Sequence, residues 1–430
     1  MTTSTEPFDI SSPDVGVYSE VGPLRSVLVA APGLAHTRLT PDTSKSLLFD
    51  EVLWVERART DHAMFRQLMQ DRGIEVLELH EMLTAVVADP RARDWILDRR
   101  VTLEEVGLGL MDPTREWLTS LSADRLAEHL IGGVSYSELP DDFGGDFLRV
   151  LRDGLRDQHE WILPPLPNTL FTRDNTSWIY GGVTLNPMFW PARRPETLLT
   201  AAIYRFHPRF VGERFSVWLG DADEPGRAGA HSSSGATLEG GDVMPIGNGT
   251  VLVGMGERTS HQAITQLAST LFGHGAAEQV VIAGLPNLRA AMHLDTVFTF
   301  CDAETATAFG PIVDNIVPLV LRPSSTSSSG LTIERPTGTF VEVVGKALGV
   351  DLRVVNTGGD IYGMHREQWD DGNNVVALEP GVVIGYDRNV GTNELLRQAG
   401  IEVLEISASE LGRGRGGGRC MTCPIARDAL

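Results

Sequence analysis

A chain of 430 residues, 42% of them apolar, is long enough to bury a substantial core as one large domain or two ordinary ones, without disulfide staples. Its formal net charge of −21 opposes binding to nucleic acid, and no window offers the roughly 18 uninterrupted apolar residues of a membrane span. Three cysteines, two of them nearly adjacent, exclude a disulfide framework and point to a reducing, cytoplasmic setting.

Residues 1–15, MTTSTEPFDISSPDV, hold neither a basic nor an apolar leader run and read as a flexible segment. SVLVAAPG (26–33) is the first β-like run. From Glu81 to Asp157 such runs vanish and capped helical pieces take their place. MDPTREWLTSL sets Asp112 ahead of Pro113 at the first helical position, and SADRLAEHLIGG offers Ser122 as cap and Gly132 as stop. The expectation is an inserted helical bundle over 81–157, dividing an α/β body into 16–80 and 158–430.

SWIYGGVTLNP (177–187) then reads as a hairpin turning at GG, followed by a helix over PETLLTAAIYRFHP (195–208). VMPIGNGTVLVGM (243–255) repeats the plan with a GNG turn. TSHQAITQLASTLFGHG (259–275) supplies its helix and EQVVIAGLP (278–286) a further strand. A third hairpin, VVALEPGVVIGYD (375–387), turns at EPG. The Ser-rich AHSSSG (230–235) and RPSSTSSSG (322–330) read as exposed loops. The recurring order is strand, strand, helix, strand. Units that cannot bury their faces alone must pack on one another, which suits a closed ring of ββαβ modules; a doubly wound sheet is the alternative.

Four polar clusters stand at the ends of β-like runs: PNTLFTRDNT (167–176), LEGGDV (238–243), AMHLDTVF (291–298) and the closing GGGRCMTCP. They bring Asp174, Glu239, Asp242, His293, Asp295 and Cys420 into one inventory. A thiolate is a strong nucleophile and a histidine can stabilise it and shuttle protons. The bland alternative makes Cys420 a small core residue, His293 a satisfied core histidine and EGGD an ordinary turn. The carboxylates favour chemistry: acceptors gathered around a nucleophile suit a cationic electrophile such as a guanidinium, which meets carboxylates two-pronged.

The stretch GRGRGGGRCMTCPIARDAL allows other readings. A basic arm for nucleic acid lacks interleaved aromatics and sits on an acidic chain. Cys420 and Cys423 have zinc-ligand spacing, but no second CxxC or HxxxH pair completes the set, and Cys301 lies within strand-like VFTFCD. A redox CxxC opens a helix, whereas proline follows Cys423 here. A glycine-shaped loop bringing Arg415 and one thiol to a ligand fits better.

FTRDNT, WIYGGVTLNPMFWPARRPE, LEGGDVMPIGNGTVLVGMGERTS, AMHLDTVF, EQWDDGNNVVALEPGVVIGYDRN and GRGRGGGRCMTCPI, in that order, resemble bacterial arginine deiminase from about Tyr18 to Arg427. The resemblance implies a five-bladed ββαβ propeller, pentein-like and pseudo-fivefold, with a helical insertion. It implies hydrolysis of L-arginine to L-citrulline and ammonia as the opening step of arginine fermentation. It further implies no metal or organic cofactor, no nucleic-acid or membrane partner, and a homo-oligomer, dimer or tetramer. By motif, Cys420 is the nucleophile; His293 protonates departing ammonia and activates water; Asp174 and Asp295 hold the guanidinium nitrogens; and Glu239 binds them and assists proton transfer. Arg193 and Arg258 are assigned to the substrate carboxylate, Asn168 and Phe171 to the pocket lining, Arg415 to its mouth, and Asp242 to the substrate contacts. Asn175 stands where the family often has proline, and Cys423 where some members have methionine. Sister enzymes acting on agmatine or methylated arginine, an amidinotransferase, and a non-catalytic propeller are the rival readings.

Overall fold

The computed structural model describes residues 15–107, 109–140, 143–145, 161–220 and 235–430. All three predicted hairpins form, and each turns where the backbone enters the left-handed region: Tyr180 at φ 50°, Asn248 and Gly249 at 48° and 61°, and Gly381 at 80°. Glycine and asparagine take such angles at little cost, whereas Tyr180 is held there by its hydroxyl, which donates to the Thr250 carbonyl at 2.6 Å.

Five units of one topology stand among the described residues. In each, two antiparallel strands are followed by a helix and a third strand parallel to the second. One runs Thr176–Ile179, Gly182–Leu185, helix Arg194–Phe206 and Ser216–Leu219. The next runs Val243–Gly247, Thr250–Met255, helix His261–Gly273 and Gln279–Gly284. A third has Phe298–Asp302, Thr305–Ala308, helix Phe340–Leu348 and Arg353–Asn356. A fourth has Val376–Glu379, Val382–Tyr386, helix Val390–Gln398 and Glu402–Ile406. The fifth joins remote segments: Cys423–Arg427 pairs antiparallel with Leu24–Val29, which is followed by helix Val55–Gln70 and parallel strand Glu75–Glu78. Gly16–Val17 flanks Cys423–Arg427 on its other side. This is a mixed α/β fold of separate small sheets; no doubly wound sheet forms among the described residues.

The Ser-rich segment 324–330 closes a hairpin between Pro318–Pro323 and Leu331–Glu334, which widens the second unit's sheet to five strands. AHSSSG lies, up to Ser234, outside the described residues, as do the segment 1–14 and the stretches 141–142 and 146–157 of the predicted helical block.

Most of the described rest of that block is helical, in Leu79–Val87, Pro90–Arg100, Leu103–Val106, Met111–Ser120 and Ala123–Gly132, but Val134–Ser135 is a short strand paired with Trp161–Leu163. The block's apolar faces share one buried cluster with helix Arg194–Phe206, through residues such as Leu83, Ile96, Leu130, Leu199 and Ile203. Two boundaries differ from the sequence reading. Leu110 is the N-cap of Met111–Ser120, so Asp112 and Pro113 lie inside its first turn, where a missing N–H costs no helical hydrogen bond. Ser122 caps the following helix, but Gly132 is still helical and Gly133, at φ 80°, ends it. A side chain at Gly132 would run into Leu34, 2.6 Å away.

Candidate active site

The polar side chains singled out in the sequence lie just ahead of the first strand of a unit. Asp174 precedes Thr176–Ile179, Glu239 and Asp242 precede or border Val243–Gly247, His293 and Asp295 precede Phe298–Asp302, and Cys420 precedes Cys423–Arg427. Equivalent positions in successive units thus deliver different chemistry to one buried site, and the fourth unit contributes Asn374 ahead of Val376–Glu379.

Cys420 is 3% exposed and gripped by Asn374. The Cys420 backbone N–H donates to Asn374 Oδ1 at 3.0 Å, and Asn374 Nδ2 donates to Cys420 Sγ at 3.1 Å. The thiol points to Asp295 Oδ2 at 3.7 Å, and that oxygen also accepts from Arg419 Nη1 at 2.8 Å. Arg419 in turn donates to Glu20 through Nε at 3.0 Å. Burial pushes the Cys420 thiol well up, and the charges of Asp295, Asp174 and Asp371 push the same way against Arg419.

His293 Nε2 lies 2.8 Å from Glu239 Oε2, and Nδ1 lies 3.6 Å from Asp174 Oδ1. Burial lowers the imidazole, but Asp174, Glu239 and Asp242 outweigh it and raise its pKa to about 9. Burial likewise raises Glu239, yet Arg258, His293 and Arg193 hold it well below the usual carboxylate range. A protonated histidine beside an ionised glutamate is an acid poised to donate.

Arg193 sits among these carboxylates. Its Nη1 is 2.7 Å from Asp174 Oδ2 and 3.8 Å from Glu239 Oε2, and Nη2 is 2.9 Å from Glu196 Oε2. Arg258 Nη1 reaches Glu239 Oε2 at 3.1 Å. Asn168 donates to the Leu47 carbonyl at 2.7 Å and accepts Arg193 Nη2 on its own carbonyl at 3.2 Å. Phe171 stacks on Phe49, centroids 6.1 Å apart, against the glycine loop: a Cβ on Gly416 would meet its ring at 2.4 Å. Arg415, at φ 64°, lies over Trp369, 3.5 Å from the ring centroid. Asp242 accepts from Leu294 N–H at 2.8 Å and from Thr259 Oγ1 at 2.6 Å, so it ties the HLD and GERTS loops together. Cys423 bonds Thr176 and Tyr204, away from the chemistry.

Asp174, Glu239 and His293 offer ligand atoms within 4.8 Å of one another, which is metal-site spacing. The occupant their environment suits is a cation with N–H donors: an arginine head already lies against two of them, and the raised pKa keeps the imidazole's lone pair protonated. Asn374, Glu196, Arg419 and Asp371 escape a motif-free reading because none carries reactivity of its own. The run WDDGNN, four polar residues and a glycine ahead of a strand, is the one signal that pointed to Asp371 and Asn374.

A family model described as arginine deiminase matches residues 45–427. Among solved structures, the amidinotransferase SxtG of a saxitoxin biosynthetic pathway, from Microseira wollei, superposes with a TM-score of 0.58 at 13% identity, over 97% of this chain and 98% of its own. A dimethylarginine dimethylaminohydrolase from Pseudomonas aeruginosa, complexed with citrulline, gives 0.50 at 13% identity over 94% and 100%. AgrE in complex with ornithine and NAD+ gives 0.52 at 13% identity, over 94% of this chain and 40% of that one. At these identities the likeness concerns the fold.

Proposed function

The chain belongs to the arginine deiminase family, and from that premise we propose that it hydrolyses L-arginine to L-citrulline and ammonia, the opening step of arginine breakdown, on a five-bladed ring of its ββαβ units. The observation that carries the reading is a thiol and a histidine buried in one set of carboxylates, with a guanidinium already seated there.

The substrate guanidinium takes the place of the Arg193 head between Asp174 and Glu239, exchanging like for like, and Arg193 is freed to meet the substrate carboxylate beside Arg258. The arriving positive charge offsets the carboxylates that hold the Cys420 proton, and that proton passes to Asp295. Sγ bonds to the guanidinium carbon. His293 protonates one amino nitrogen, the C–N bond breaks and ammonia leaves, which gives a cationic S-alkylthiouronium on Cys420. The now neutral His293 takes a proton from water as the hydroxide adds to the same carbon. Collapse breaks the C–S bond, the thiolate recovers its proton from Asp295, and the proton shed by the new carbonyl departs with ammonia as ammonium.

Formation of the ureido product from arginine, agmatine and dimethylarginine (citrulline from the first and last, carbamoylputrescine from agmatine), assayed in parallel, tests the substrate. Turnover of arginine alone is expected, and its absence sinks the proposal. Cys420→Ala is expected to bind arginine and release no ammonia; unchanged turnover would overturn the mechanism.

A further inference from the structure

Asp371 is a buried carboxylate, 2% exposed, and neither oxygen has a hydrogen-bond partner among the described residues. Its backbone is held at φ 60°, between helix Ile361–Trp369 and strand Val376–Glu379, with N–H bonded to the Gln368 carbonyl at 3.2 Å and C=O to the Asn374 N–H at 2.9 Å. A carboxylate fixed in place, stripped of water and unpaired is costly. Burial pushes it up to about 7, with Arg415 pulling the other way.

The opposite charge stands unpaired nearby. Nε, Nη1 and Nη2 of Arg415 are all buried and all lack a partner among the described residues, while the guanidinium face rests on Trp369. Asp371 is tied through its carbonyl to Asn374, whose side chain grips Cys420, and it lies two residues after Trp369, on which Arg415 rests. A lone anion and a lone cation, each in the left-handed region and each desolvated, match a ligand that presents an ammonium and a carboxylate from one carbon.

Resting on the arginine reading above, we infer that Asp371 is the specificity residue that takes the substrate's α-ammonium group, while Arg415 joins Arg193 and Arg258 on the α-carboxylate, so that the site selects α-amino acids over guanidino acids lacking the amine. Asp371→Asn is the variant of choice, because asparagine is at ease at positive φ and keeps the side chain's shape.

Binding is measured by calorimetry on Cys420→Ala and on Cys420→Ala with Asp371→Asn, using L-arginine and 5-guanidinopentanoate, which is arginine without its amine. The neutral side chain is expected to weaken arginine at least about tenfold and to leave guanidinopentanoate within about twofold, with melting temperatures alike. Arginine binding unchanged by Asp371→Asn, or both ligands weakened by one factor, overturns the inference and leaves the deiminase proposal intact. Failure of a folded Cys420→Ala parent to bind arginine at all would instead overturn the deiminase reading, and this inference with it.

Discussion

In the proposed reaction the Cys420 thiol, pushed up by burial, gives up its proton only when a substrate cation arrives beside a charged His293. The alkaline limit of kcat/KM then reports His293: the group must be charged, and activity falls as pH rises through about 9. Glu239→Gln removes its 2.8 Å partner, so the limb is expected to move to lower pH by about one unit, besides the loss in rate. A pH profile with an unmoved limb would show that another group sets it. Asn374→Ala strips both of its bonds to Cys420, and a fall in kcat of about ten- to a hundredfold with KM little changed is expected in steady-state assays. Cys420, His293 and the four carboxylates were legible in the sequence because their reactivity goes with residue type. Asn374, Arg419 and Asp371 were not, because their roles exist only once a loop from another unit faces the thiol.

At the scale of elements, each short turn ahead of a first strand is shaped by what it must clear. A Cβ on Gly241 would stand 2.5 Å from His293 Nδ1, so Gly241→Ala is expected to displace the imidazole and cut kcat about a hundredfold, while the melting temperature shifts little. Helix ends carry stability: Thr339 and Glu342 form a capping box on Phe340–Leu348, and Thr339→Ala is expected to cost about 1 kcal/mol in urea unfolding without touching turnover. The three hairpins and their helices were readable because turn glycines and 3.6-residue periodicity are local signals. The added hairpin around 324–330 was not: Leu331–Glu334 buries only Leu331, so its strand has no alternating pattern to read.

Across the whole molecule, the order of units was legible, whereas the pairing that completes the fifth was not, since no local pattern announces that Cys423–Arg427 lies between Gly16–Val17 and Leu24–Val29. The same junction is stitched by charge. Arg419 is buried and bound to Glu20 and Asp295, and burial of Glu20 is outweighed by Arg419, Arg173 and Arg427, so its folded pKa is lowered. A lowered carboxylate contributes stability above its unfolded value near 4.5, and loses it as pH falls through the lower folded value. Glu20→Gln is expected to cost about 3–5 kcal/mol at neutral pH and to flatten the acid side of a stability curve measured in denaturant. That junction also sets a timetable. Segments some four hundred positions apart must meet before the strand next to Cys420 has neighbours, and contacts of such span pay the largest loop-closure entropy. Refolding from denaturant should therefore restore helical signal well before catalysis, and the thiol should be the last part of the machinery to become an enzyme.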